Sequence, residues 1–141
     1  MLVRQIMNRD VVIAKPEATL KEASEVMAKF HIGSLVISDG EKIFGIITSS
    51  DIIKAIASGK DVEKTLIGNI MTKNVITIEP DKDIEEAVDL MVQNKIKKLP
   101  VVDQGRLVGI ITASDIFTIE PRLLANLASL LSTNMSNYTG G

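Results

Sequence analysis

The chain has 141 residues, of which 16 are basic and 18 acidic, giving a formal net charge of −2, and 45% of it is hydrophobic. This balance supports a buried core, supplies no basic surface for nucleic acid, and contains no apolar run near the roughly 18 residues of a membrane span. With no cysteine and one histidine, His31, the sequence excludes disulfides, thiolate metal sites and histidine-based catalytic or metal clusters within one chain. The opening MLVRQIMNRD lacks the charged start and long apolar stretch of a signal peptide, so a soluble, cytoplasmic protein is expected.

In chain order, residues 11–14 (VVIA) form a β-rich run closed by Pro16. Thr19-x-x-Glu22 is a capping box, and Leu20, Ala23, Met27 and Phe30 follow it on one helical face. Residues 35–37 read as a strand, Ser38-Asp39-Gly40 as a turn and residues 43–47 as a second strand. That strand runs into Thr48-Ser-Ser-Asp51, where a second helix begins, and residues 57–61 are a polar loop. The pattern then starts again. GIITSSDI, from Gly45, returns 64 residues later as GIITASDI, from Gly109.

The same ungapped shift sets Ile6-Met7 on Ile70-Met71, Pro16 on Pro80 and Glu22-Ala23 on Glu86-Ala87. The second copy therefore has a β-rich run at 75–78 and a capping box at Asp83-x-x-Glu86. A helix face of Ile84, Ala87, Val88 and Met91 follows, then strands at 99–102 and 107–111. Internal repetition dictates the organisation: a first repeat over 1–60 and a second over 61–120, each β-α-β-β-α. A unit of about 60 residues buries its own faces poorly. Two copies packed about a pseudo-twofold axis in an α/β fold would remedy that. After Pro121, residues 121–134 form an amphipathic helix carrying Leu123, Leu124, Leu127, Leu130 and Leu131, and 135–141 are a flexible tail.

Thr48 and Asp51 stand three apart at a strand-to-helix junction, as do Thr112 and Asp115. One reading is a reciprocal helix cap, stabilising by about 1 kcal/mol. The other is a ligand seat: helix N–H groups and the hydroxyls of Ser50 or Ser114 face a phosphate, and the carboxylate accepts from a ribose diol. Both remain open on the residues alone. His31 reads as a helix-end residue, and Met7, Met27, Met71 and Met91 as core packing.

Ile-Met-x-x-x-Val, Pro, a helix, Lys-Lys-Leu-Pro-Val-Val-Asp and Gly-Ile-Ile-Thr-x-x-Asp, doubled at a fixed offset, resemble the CBS domain, named after cystathionine β-synthase. The tandem form resembles a Bateman module. The resemblance covers about residues 3–58 and 67–119. It implies two clefts, each combining the Thr–Asp phrase of one copy with the first strand and the helix-to-strand junction of the other. One cleft would take Ile110, Thr112, Ser114 and Asp115 with Val11, Val12, Ile32 and Gly33. The other would take Ile46, Thr48, Ser50 and Asp51 with Val75, Ile76, Ile96 and Lys97. Lysines 95, 97 and 98 of the second copy would then favour anionic ligands at the Asp51 cleft, whereas Gly33 leaves room at the other.

The function so implied is sensing of an adenine nucleotide, AMP foremost, with ADP, ATP or S-adenosylmethionine as further ligands and no resident cofactor. The alternatives are a ligand-free dimeric scaffold and an S-adenosylmethionine sensor. No catalytic residue or metal ligand is assigned, since the phrase offers no base or nucleophile partner. A homodimer is expected through Ile52, Ile53, Ile56, Ile116 and Phe117, with output to an effector protein. The leucine-rich helix would reinforce that dimer or dock the effector.

Overall fold

The computed structural model describes residues 1–123, 125–128 and 130. The first copy supplies β1 (Ile13–Ala14), α1 (Leu20–Phe30), β2 (Ser34–Ser38), β3 (Ile43–Thr48) and α2 (Ser49–Ala57). The second supplies α3 (Ile84–Asn94), β4 (Lys98–Asp103), β5 (Arg106–Thr112) and α4 (Ala113–Ile119). The α/β class and the doubled element order are as predicted. The first strand of each copy is shorter than predicted. β1 keeps two residues, parallel to β2, and its counterpart is a single parallel bridge from Ile78 to Val101.

Local chemistry explains the helix ends. Thr19 and Glu22 form the predicted box, with Glu22 N–H donating to Thr19 Oγ1 at 3.1 Å and Thr19 N–H to Glu22 Oε1 at 3.2 Å. Asp83 and Glu86 do not. Asp83 Oδ1 accepts from Glu85 N–H at 2.9 Å, because a short carboxylate at the cap reaches the second helical N–H as readily as the third. Helices α1 and α3 both end on a left-handed residue, His31 at φ 55° and Lys95 at φ 54°, a turn more often given to glycine. Ile32 N–H and Ile96 N–H then close back on Met27 O and Met91 O, each at 3.0 Å.

β2 and β3 pair antiparallel, with Leu35 opposite Ile47 and Val36 opposite Ile46. Leu35, Ile37 and Ile47 pack against Leu20, Ala23, Met27 and Ile52. In the second copy Leu99, Val101 and Ile111 pack with Val88, Met91 and Ile116 in the same way. Ile52 and Ile116, expected on the dimer face, are thus core residues. They are 6% and 0% exposed, whereas Ile53 and Ile56 remain 65% and 55% exposed.

The chain forms two packed units whose borders differ from those of the sequence copies. One holds residues 11–75 with 105–107, and the other holds 1–10, 76–104 and the described residues from 108 on. The leading segment of each copy is exchanged. Val3 N–H donates to Lys82 O (2.8 Å), Arg4 pairs with Asp81, and Asn8 and Ile110 trade both backbone hydrogen bonds at 2.8 and 2.9 Å. In the other unit Ile67 N–H donates to Ala18 O (2.8 Å), and Thr72 and Ile46 trade both bonds at 2.9 Å. Val3 and Ile67 are fully buried, so each exchanged segment is anchored by an apolar side chain.

Pro121–Leu123 is a 3₁₀ turn, and residues 125–128 and 130, within the expected C-terminal helix, are helical. Leu127 and Leu130 are buried against the second copy's core. Leu124, residue 129, residues 131–134 of the expected helix and the tail lie outside the described residues. No described helix is long and apolar enough to cross a membrane.

The exchanged segments press on the glycine that opens each repeated phrase. A Cβ on Gly45 would meet Met71 Sδ and the Thr72 carbonyl oxygen, both at 2.7 Å. On Gly109 it would meet Met7 Sδ at 2.7 Å and the Asn8 carbonyl oxygen at 3.0 Å. A thioether can swing aside, but a paired backbone cannot. Gly45→Ala is therefore expected to lose about 1–3 kcal/mol in urea unfolding, and Gly109→Ala less. Equal, wild-type-like midpoints for both would contradict this packing.

Candidate functional site

The phrase sits where a strand hands over to a helix. Thr48 ends β3 in extended backbone (φ −113°, ψ 162°), and Asp51 is the third residue of α2. Asp51 N–H donates to Thr48 Oγ1 at 3.1 Å, and Thr48 N–H donates to Asp51 Oδ2 at 2.9 Å. Thr112 and Asp115 repeat the arrangement at 3.1 and 3.3 Å. The cap is formed in both copies. It leaves the ligand chemistry available, because only Oδ2 of each carboxylate is engaged with protein among the described residues. The threonine hydroxyls accept in the cap and keep a hydrogen to donate. Thr48, Asp51, Thr112 and Asp115 are half-buried, while Ser50 and Ser114 are exposed at the same helix starts.

Ser49 N–H donates to Gly33 O at 2.9 Å, and Ala113 N–H donates to Lys97 O at 2.8 Å. Each helix-to-strand junction is thus bonded to the phrase of its own copy. The bonds join Gly33 to the Thr48 phrase, and Lys97, with Lys98 next to it, to the Thr112 phrase. A Cβ at Gly33 would stand 3.8 Å from Ser49 Oγ, an ordinary contact, so no steric demand fixes glycine there.

Ile46 is paired with Thr72, and Val75, three residues further on, belongs to the same packed unit as Asp51. Ile76 falls in the other unit with Ile96, Lys97, Ile110, Thr112, Ser114 and Asp115. Val11, Val12, Ile32 and Gly33 fall in the unit of Asp51. Val11, Val12, Ile32, Ile96, Ile46 and Ile110 are half-buried, and Ile76 is exposed. A hollow of about 230 Å³ opens beside Asp51 and is lined also by Lys54, Ser58 and Lys60, none of which the sequence singled out. A glycine just past a helix, here Gly59, was the available signal that the chain turns back there.

Lys98 is half-buried at the start of β4. Burial, and secondarily the charge of Lys97, hold its ammonium below the usual lysine range. No group of three metal-ligating side chains occurs among the described residues.

Residues 3–58 and 67–121 both match the CBS domain. The chain belongs to the CBS domain family. It is a tandem CBS pair, as the doubled phrase implied. It is 40% identical over 128 residues to the protein MK0525 of Methanopyrus kandleri, a match covering 89% of this chain and 65% of that one. It is 40% identical over 114 residues to the inosine-5′-monophosphate dehydrogenase of Methanocaldococcus jannaschii, covering 79% of this chain but 22% of the dehydrogenase. The chain thus spans just under two thirds of the first relative and about a fifth of the enzyme. Among solved structures, the CBS domain pair of protein MJ0100, in complex with 5′-methylthioadenosine and S-adenosyl-L-methionine, superposes with a TM-score of 0.76. That similarity is at 35% identity and covers 86% of this chain and 97% of that one.

Two outcomes follow from this geometry. Thr48→Val and Thr112→Val should each lose about 1 kcal/mol in urea unfolding, since valine keeps the shape and removes the cap acceptor; unchanged midpoints would contradict the cap. The Lys98 amine should titrate below the usual lysine range by NMR and rise in Lys97→Ala. The folded chain holds this proton less tightly than the unfolded one, so the group adds stability as pH rises through its folded pKa. Titration of Lys98 within the usual lysine range would contradict the burial argument.

Proposed function

We propose that this CBS pair is a regulatory module that binds an adenosine-containing ligand at the repeated phrases and reports its occupancy to an effector. The observation that carries this reading is the free oxygen on each capped carboxylate. Asp51 and Asp115 are held rigidly by the cap, are half-buried, and each offer Oδ1 to a vicinal diol beside threonine and serine hydroxyls. A positioned carboxylate of that kind suits a ribose. Val75, reached three residues after the Ile46–Thr72 pair, supplies an aliphatic surface for a base on the Asp51 side.

AMP is the ligand this reading puts first, with ADP and ATP behind it. A second reading, an S-adenosylmethionine sensor, is favoured by the likeness to MJ0100, whose CBS pair was crystallised with that ligand and 5′-methylthioadenosine. Both readings place the same ribose on the same carboxylates. They differ at the 5′ substituent, anionic in one and a sulfonium in the other. No step of catalysis is assigned to either phrase. A ligand can signal only by binding two conformations unequally, and the output passes to a partner or to a further domain. A second copy of the chain is the first such partner, through the exposed Ile53 and Ile56 of α2 and Phe117 of α4.

Calorimetric titration with AMP, ADP, ATP and S-adenosylmethionine tests the proposal on the wild-type chain, Asp51→Ala and Asp115→Ala. Saturable binding on the order of micromolar, lost in at least one variant, is expected. Absence of binding by all four ligands to folded protein would contradict it and leave a scaffold.

A further inference from the structure

Each repeated phrase opens on a glycine with a methionine seated against it. Met71 Sδ stands 2.7 Å from where a Cβ on Gly45 would lie, and Met7 Sδ stands at the same distance at Gly109. The seats are equivalent, but the exposure of the two thioethers is not. Met7 is 9% exposed and belongs to the core of its packed unit, whereas Met71 is half-buried at the margin of the core of the other. Met27 and Met91 are buried. Met1 is exposed, but the contact with each phrase glycine is made by Met7 or Met71.

The chain has no cysteine and no tryptophan, so thioethers are its foremost targets for a two-electron oxidant. Reaction at sulfur follows access, which favours Met71 over Met7, Met27 and Met91. The surroundings of Met71 suit a thioether and not a sulfoxide. Its Sδ and Cγ press on Gly45, and its side chain packs against the apolar cluster that includes Leu35, Ile37 and Ile47. The adjoining backbone donors are already committed. Met71 N–H donates to Ile67 O, Thr72 N–H to Ile46 O and Ile46 N–H to Thr72 O, each at 2.9 Å. A sulfoxide oxygen finds none of these free, and a polar group held in an apolar contact without a partner is costly. Oxidised Met71 therefore withdraws from Gly45 and disturbs the Ile46–Thr72 pair, two residues ahead of the cap at Thr48.

We propose that Met71 is a site of reversible oxidation, at which a peroxide loosens the exchanged segment from Gly45 and unseats the strand that carries the Asp51 cap. A sulfur lone pair takes one oxygen of hydrogen peroxide as the O–O bond breaks, giving the sulfoxide and water. Sulfur is oxidised by two electrons and the peroxide is reduced by two. Any consequence for a ligand at Asp51 rests on the function proposed above; the oxidation and the loosened packing rest on Met71 and Gly45.

The test treats the wild-type chain and Met71→Leu with hydrogen peroxide and follows every methionine by peptide mass spectrometry. Urea unfolding and amide hydrogen exchange are read on the same samples. Met71 should gain oxygen about tenfold faster than Met7. Once Met71 is oxidised, the wild-type urea midpoint should fall by about 0.5 M or more, and a methionine sulfoxide reductase should restore it. Exchange should quicken at Ile46 and Thr72 while Asn8 and Ile110 keep their protection. Met71→Leu, apolar and of similar volume, should hold its own midpoint through the same treatment. AMP bound through Asp51 should bind more weakly after oxidation. A chain that never binds AMP defeats the proposed function, and midpoint and exchange still decide the oxidation site. Equal oxidation of Met71 and Met7, a midpoint and exchange unmoved by the Met71 sulfoxide, or an equal fall in Met71→Leu would each overturn the proposal.

Discussion

A helix begins with backbone N–H groups that its own ladder cannot reach. At the end of β3 and again at the end of β5, threonine and aspartate three residues apart supply the missing acceptors. The same requirement fixes the site. To cap reciprocally, Asp51 must turn Oδ2 to Thr48 N–H, and this holds the carboxylate in one orientation with its other oxygen outward. Asp115 is held likewise. Structural and binding roles are therefore compatible in one residue: the cap supplies the preorganisation that a ligand contact needs.

The cap also depends on how the strands before it are seated. Ile46 and Ile110, two residues ahead of the capping threonines, are each paired on both backbone bonds with the leading segment of the other copy. Those segments approach closely because Gly45 and Gly109 have no side chain to hold Met71 and Met7 away. Repetition in the sequence thus serves two purposes within each packed unit. It supplies a core and a capped helix from one copy, and it supplies the strap that braces them from the residues leading into the other.

Much of this was legible because it is local. The capping box at Thr19, the turn at Ser38-Asp39-Gly40 and the Thr-x-x-Asp phrases are written in neighbouring residues with fixed spacing. The left-handed ends at His31 and Lys95 were not, since neither residue is the glycine that would announce them. Nor was the exchange of leading segments, as Asn8 finds Ile110 far along the chain and neither lies in a periodic run that names a partner. The burial of Ile52 and Ile116 follows from where the cap aims each helix. Single backbone bonds tie Gly33 to Ser49 and Lys97 to Ala113, which no side-chain pattern records.

The most direct test of the account is one variant, Asp51→Asn/Asp115→Asn, measured for both stability and ligand binding. Asparagine keeps an amide oxygen that can accept from the capping threonine's N–H but carries no charge for a ribose diol. The account predicts a urea midpoint close to wild type together with loss of adenosine-ligand binding. Retained binding at wild-type affinity would contradict the role given to the free carboxylate oxygens and leave the twice-written phrase as a cap alone.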